Sequence, residues 1–566
     1  MTLWDRLKDA RPPGGLGVAL VFALFLAAVV GLQWRSGAFQ SEFGGLEPDE
    51  SAHYLTGLMV RDYLAALAPA PPLKFAENYY LHYPRVAFGM WPPFYHVSLG
   101  VWTLIFSSTQ FSVLLFTATC TALLALTLQG TVRAQFGLAA GMAAGLLFIS
   151  LPLVQAMSGM AMTDILYALL SFWAVLSFGR FLDTERWQHS AVFGLLAALA
   201  ILTKYNGLGF ALVPLLGVAL SGRFRLLTRP AFWLPLAIVV ALCAPWYWTI
   251  THLILRDIPR GTEEAASDPS SASLIGDRLG LLVTAWKVHS RASRGKAVGE
   301  VVRTLGWIVG LGLSLGIATG FGIRLWNGIR NRSMPGLWAA AAAWPVSVWI
   351  LHATLFPDLE PRYLLTTLPP LILFLVAGVD WVAARLPVWS LSRKRKAQAM
   401  ALVLCLIYAG ETLTIPEKPY HGFTAVAEFL LSKPELGRSS FLVSSAGHGE
   451  GMLISEIAMR ETPRPGHIIL RATKLLARKN EYDFLPLHSG PAQIMGLLDS
   501  IPVGVLVLDL SPGRYGWEHH RQLQEAVKEY PERWQLLASF PGKGGRGEIR
   551  VYHLVGSRAE SGDAVP

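Results

Sequence analysis

A chain of 566 residues that is 53% apolar, only 15% charged and +10 in formal charge is not a water-soluble globule, in which about 25% of residues are charged. The composition excludes a single-anchor protein and points to a polytopic membrane protein, whose cationic surplus orients cytoplasmic loops and does not bind nucleic acid. The three cysteines, Cys120, Cys243 and Cys405, lie within apolar runs, so neither a disulfide framework nor a CxxC metal site is expected.

Arg6, Lys8 and Arg11 precede an apolar run from Gly15 to Leu32. A signal peptide has this shape, but no small-x-small cleavage site follows, so the run reads as an uncleaved first span with a cytoplasmic N-terminus. The stretch EPDESAHYLT then sets three carboxylates, Glu47, Asp49 and Glu50, directly beyond it. Asp49 follows Pro48 and opens an amphipathic helical pattern, so a helix cap is its ordinary explanation. His53, His82 and His96 share this loop at spacings that match no standard metal site. The segment PPFYHVSLGVWTLIF, Pro92 to Phe106, keeps about 13 residues after its prolines, too few to cross a bilayer. It is expected to lie flat, with its aromatic residues at headgroup level.

Runs long enough to cross occupy 110–131, 138–157, 162–182, 231–250, 301–323, 336–356, 363–384 and 398–415, with a tight hairpin of short helices at 190–204 and 206–220. With the 92–106 segment flat, the cation clusters fall on alternate loops: Arg133; Arg186; Arg223, Arg225, Arg229; Arg324, Arg330, Arg332; and Arg385 with the 393–396 run. This is the positive-inside pattern, and it gives about eleven spans with the N-terminus inside and the C-terminus outside. The loop 251–300 carries cations of its own and votes weakly the other way. Residues 416–556 read as an outer α/β domain, with strands SSFLVSSAG, VGVLVLDL, WQLLASF and EIRVYHLV and helices near 449–460 and 517–529. AGHGEG is a strand-to-helix turn, and the tail 557–566 reads as disordered.

The unusual polar residues at span ends all fall on the outer side: Asp49 and Glu50, Asp164 in MAMTDILYALL, Lys204 in LTKYNG and Arg362 in EPRYLL. Each alone has a plain reading, as a cap (Asp49, Asp164), a snorkelling lysine (Lys204) or a boundary charge (Arg362). Together they set carboxylates for a proton and cations for a phosphate beneath an aromatic-rich loop, a set suited to group transfer from a lipid phosphate.

The motifs PDESAHY, WPPFYH, TDILYALLSFW, ALAILTKYNGL and PRYLLTTLPPLILFL resemble those of the GT-C class of membrane glycosyltransferases, over most of residues 1–415. The lipid A aminoarabinose transferases and protein O-mannosyltransferases are the families they are most similar to. The resemblance implies a mainly α polytopic membrane fold with a small C-terminal α/β domain. It also implies a sugar transfer, with inversion, from a polyprenyl phosphate to an acceptor hydroxyl on a lipid, glycan or protein.

Asp49 would be the catalytic aspartate, Glu50 its neighbour and Asp164 the second acidic position. Lys204 and Arg362, with Tyr363, would hold the donor phosphate. WPPFYH departs from the commoner Lys-Pro-Pro form, so Lys74 or Arg85 would replace that lysine's contact. His53, Tyr54, His82, Tyr83, Trp91 and Tyr95 are the candidates for acceptor or sugar contact. No cofactor is required on this reading, and a divalent ion at Asp49 and Asp164 stays open. The expected location is the plasma membrane, with the C-terminal domain periplasmic or extracellular. The rivals are a lipid or solute transporter, which would carry mid-span charges and repeated broken helices, and a non-catalytic scaffold.

Overall fold

The computed structural model describes residues 15–250, 252, 291–354, 360–385, 392–413, 415, 417–436, 439–480, 483–513 and 516–556. The expectations for most of the 251–300 loop and for the 557–566 tail lie outside the described residues. So does most of the FPDLEPRY stretch ahead of Glu360.

Among the described residues six helices are long and apolar enough to cross a membrane: Gly15–Arg35, Gln110–Phe136, Asp164–Thr184, Pro230–Thr249, Gly336–Thr354 and Pro361–Arg385. The pair Leu138–Ser150 and Pro152–Ser158, bent by 66°, makes a seventh if counted as one span. Pro152 opens the second half, where a missing N–H costs nothing. The remaining expected runs are helical as well. The 301–323 run lies within Arg291–Arg330, which kinks at Gly310, and 398–415 falls largely on Arg393–Thr412. The hairpin is Trp187–Ile201 followed by Tyr205–Ser221.

We label the helices that follow the first span α1 (Pro48–Ala65), α2 (Pro72–His82) and α3 (Phe94–Ile105). Helix α3 has 12 residues, about 18 Å at 1.5 Å per residue and well short of a bilayer core. It packs on α1 through two glycines. A Cβ at Gly57 would stand 2.7 Å from Leu99, and one at Gly100 would stand 2.8 Å from Val60. Only hydrogen fits at this crossing, as in close helix pairs generally.

Helix α4 (Asp164–Thr184) is buried along most of its length and runs through the centre of the bundle. Beside it, α5 (Gly336–Thr354) carries the fully buried Trp344. That indole stacks on Phe210 at 4.1 Å and donates to the Thr366 carbonyl at 3.1 Å. Core packing thereby fixes the turn Tyr205–Ala211, which Lys204 immediately precedes, and the 3₁₀ turn Pro361–Thr367, which bears Arg362.

The C-terminal part carries a five-stranded sheet built from β1 (Ser440–Ser445), β2 (Ile469–Arg471), β3 (Val503–Asp509), β4 (Trp534–Pro541) and β5 (Glu548–Leu554), in the order β2-β1-β3-β5-β4. The β1 strand is parallel to both β2 and β3, and β5 is antiparallel to both β3 and β4. Every residue of β1 and β3 is buried, as a parallel strand covered on both faces requires. Helix α6 (Gly449–Arg460) follows β1 and packs against α1.

Candidate active site

Pro48 sits at the first position of α1, where its fixed φ favours the helix. The residue before it, Glu47, occupies the cap position and makes no side-chain cap bond. Asp49 therefore lies inside the first turn and caps nothing, which removes the cap as its explanation. The same holds for Asp164, the first residue of α4, since the cap position there belongs to Thr163.

Asp49 is half-buried, with its side chain 37% exposed, and its Oδ2 lies 3.6 Å from Nη2 of Arg362. Arg362 is itself only 10% exposed. It also faces Glu47 at 3.6 Å and Glu360 at 2.5 Å. Burial raises the Glu47 carboxyl above the usual range, and the Arg362 charge opposes that rise.

Asp164, 2% exposed, takes a 2.5 Å hydrogen bond from Lys204 Nζ on its Oδ1. Its buried Oδ2 has no hydrogen-bond partner among the described residues. Tyr363 joins the two halves: Lys204 Nζ lies 4.8 Å from its ring centre and the Arg362 guanidinium 5.6 Å. His352 also stacks on that ring at 5.6 Å, and Asn206 bonds the His352 Nε2 at 3.1 Å. Asp49, Asp164, Lys204, Arg362 and Tyr363 are thus brought together as expected.

Glu50 points elsewhere. It is 5% exposed, and its two oxygens accept the amides of Gly44 and Ala161, each at 3.0 Å. Burial raises its carboxyl, opposed first by Lys418 and then by those amides. Lys418, whose ammonium donates to the Gly159 carbonyl, is pushed down by burial. The result is a tie between the N-terminus of α1 and the turn that leads into α4, which holds the helix starts bearing Asp49 and Asp164 side by side.

The other candidates divide. His53 and His96 bond each other at 3.0 Å, and Trp91 lies over His53 at 4.2 Å between ring centres. Tyr95 is fully buried, and among the described residues its hydroxyl has no hydrogen-bond partner. Its ring meets His53 edge-on at 5.7 Å.

Arg85 donates to the Pro48 carbonyl at 2.5 Å and to Ser51 Oγ at 3.3 Å, gripping the first turn of α1. Burial and then the charge of Arg471 lower its guanidinium to about 10. Tyr83 is buried and donates to Glu461 of the C-terminal domain, and Tyr54 is buried with its hydroxyl on the Ser108 carbonyl at 2.9 Å. Neither is brought to the ion-pair cluster. His82 bonds the Asn78 carbonyl within α2 at 2.9 Å, and Lys74 is exposed on α2.

Glu47, named in the sequence but given no role there, and Glu360 also face Arg362, and Lys418 lies opposite the separate Glu50. EPDE and LEPRY carried the first two in plain sight beside residues already chosen. Among the described residues no three His, Cys, Asp or Glu side chains come together as a metal site would need.

Four carboxylates, Asp49, Asp164, Glu47 and Glu360, and two cations thus gather near Tyr363, and Oδ2 of Asp164 has no hydrogen-bond partner among the described residues. Such a set suits an anion next to a proton acceptor. Residues 91–248 match the family model described as dolichyl-phosphate-mannose-protein mannosyltransferase. No curated protein sequence matches the chain.

Among solved structures, the Archaeoglobus fulgidus oligosaccharyltransferase complexed with Zn and sulfate is 14% identical, with a TM-score of 0.51. The match covers 86% of this chain and 68% of that one. The same organism's oligosaccharyltransferase AglB, complexed with an inhibitory peptide and a dolichol-phosphate, is 13% identical with a TM-score of 0.50. That match covers 87% of this chain and 69% of the other. The chain has a GT-C fold. ArnT from Cupriavidus metallidurans bound to undecaprenyl phosphate is similar at 16% identity over 96% of this chain and 99% of that one, with a TM-score of 0.48. Within this GT-C fold the segment matched by the family model includes Trp91, Asp164 and Lys204. Asp49 and Arg362 lie on either side of that segment.

Proposed function

We propose that this protein is a membrane glycosyltransferase that moves a sugar from a polyprenyl phosphate to an acceptor hydroxyl at the outer face of the plasma membrane, with inversion. One observation carries the reading: the Asp49–Arg362 and Asp164–Lys204 pairs meet around Tyr363 where α1, α4 and two turns converge. The mannosyltransferase family match and the dolichol-phosphate carried by the AglB complex support it.

In the proposed reaction Asp49 accepts the proton of the acceptor hydroxyl as its oxygen attacks the anomeric carbon. The bond from that carbon to the phosphate oxygen breaks, and the lipid phosphate leaves with the electron pair. Lys204 and Arg362 stabilise the charge that develops on it. Arg362 is suited to this because its ion contacts to Asp49 and Glu47 are long, at 3.6 Å, and an incoming phosphate offers shorter bonds. Asp164 orients Lys204, and Glu50 positions the helix that carries Asp49. A transporter would use charges near mid-span, whereas both pairs here lie at helix starts and turns.

The test is transfer from a radiolabelled polyprenyl-phosphate sugar. A positioned base contributes about 10²–10⁴-fold, so Asp49→Asn is expected to abolish measurable turnover while still binding undecaprenyl phosphate. Turnover by Asp49→Asn at the level of the unaltered protein removes Asp49 as the base.

A further inference from the structure

The first outer loop holds a histidine pair that the proposed reaction does not yet use. His53 lies four residues after Asp49 on α1, on the same helix face. It is 3% exposed, and His96 on α3 is 2% exposed. The bond between them joins Nδ1 of His53 to Nε2 of His96 at 3.0 Å. The Pro92 backbone is a hydrogen-bond partner of His96, and since His53 engages Nε2 and Pro92 has only a carbonyl to offer, we assign the His96 proton to Nδ1 and a lone pair to Nε2.

A neutral imidazole has one donor and one acceptor nitrogen. His53 must then give its own proton to His96, which leaves Nε2 of His53 as a bare acceptor. Burial keeps both rings neutral, holding His96 at about 3 and His53 well below the usual histidine range. The charges of Lys204, Arg362 and Arg85 also reach His53 and disfavour a second proton on it.

The pair is rigidly placed beside the ion-pair cluster. Trp91 covers His53, and the segment that bears Trp91 is tied to the Lys204 turn at both ends. Tyr205 donates to the Met90 carbonyl at 3.1 Å, and the Phe94 amide donates to the Leu202 carbonyl at 2.8 Å. A fixed lone pair next to Asp49 suits a substrate hydroxyl, which donates, and rejects an ammonium in no special way; it simply offers a neutral site.

We infer that His53 Nε2 is a binding residue that accepts a hydrogen bond from a hydroxyl of the bound substrates, with the His96–Pro92 chain fixing its tautomer. The inference rests on the transferase reading. The hydroxyl belongs either to the donor sugar or to the acceptor, and kinetics distinguish them.

The experiment measures kcat and KM for each substrate in the unaltered protein, His53→Phe, His96→Leu and His96→Gln, with undecaprenyl phosphate binding as the check of fold. His53→Phe keeps a ring against Trp91 and removes the acceptor. It is expected to lose about tenfold in kcat/KM, the size of one hydrogen bond. A rise in KM for the donor assigns a sugar hydroxyl, and a rise in KM for the acceptor assigns the acceptor's. His96→Leu should give the same split, and His96→Gln, which restores an oxygen acceptor for the His53 proton, should recover most of it. Unchanged kinetics in either His53→Phe or His96→Leu overturns the inference and leaves the transferase reading standing. An unaltered protein that transfers nothing overturns both.

Discussion

Asp49 and Glu50 are neighbours of the same charge, yet the structure gives them opposite surroundings, and replacing Glu50 tests that contrast. Its two oxygens serve the Gly44 and Ala161 amides separately, at 3.0 Å each, in a site where the side chain is 5% exposed. Glutamine keeps a single carbonyl oxygen, so one amide loses its acceptor and meets an NH2 group. A buried donor left unsatisfied costs about 1–3 kcal/mol. Leucine removes both acceptors and leaves two buried amides unsatisfied, so its loss is about twice that of glutamine. Melting temperature and sugar transfer are measured on the same detergent-purified samples. Glu50→Gln should melt below the unaltered protein and Glu50→Leu lower still, with Glu50→Gln turning over well below its melting point. A Glu50→Gln protein that melts normally but transfers nothing would refute the positioning role and place Glu50 in the chemistry.

The C-terminal domain is held to helix α1 by Arg464, whose Nε and Nη2 contact Asp62 at 2.9 and 3.3 Å in a site 10% and 13% exposed. Arg464→Ala leaves Asp62 paired with Arg61 at 2.5 Å and bonded by Tyr79, so it should cost about 1–3 kcal/mol, seen as faster proteolytic release of the domain; unchanged release would show that this contact does not hold it. Glu42 and Glu456 are both raised from 4.5, mainly by burial, and Glu456 adds to the rise at Glu42. A raised folded value contributes stability that is complete below the unfolded value of 4.5 and lost as pH climbs through the folded one. Melting temperature should therefore fall less steeply above pH 4.5 in Glu42→Gln than in the unaltered protein, and an identical pH dependence would remove Glu42 from that account.

The bundle was legible because crossing helices need long apolar runs, and most expected runs coincide with helices to within a few residues. Asp49, Asp164, Lys204 and Arg362 were legible because ionisable groups at span ends are few in so apolar a chain. What separates Asp49 from Glu50 was not legible. Adjacent helical residues point about 100° apart, so one faces the cluster and the other the protein interior, and only tertiary structure says which. Lys418 sits in IPEKPYH, a stretch with every mark of a linker, and its partners lie more than two hundred residues earlier. Tyr83 looked like a substrate-facing aromatic, but its bond to Glu461 spans 378 positions, beyond any local pattern. The β2 strand, ILR, and the small hairpin at Ala477–Asn480 and Asp483–Pro486 are too short or too charged to show a period of two.

A structure determined with a polyprenyl phosphate tests the proposal most directly. The phosphate is expected within hydrogen-bonding distance of both Lys204 Nζ and the Arg362 guanidinium, with the anomeric carbon of a bound donor turned toward Asp49. A phosphate seated elsewhere, with Lys204 still on Asp164 and Arg362 still on its acidic neighbours, would contradict the account.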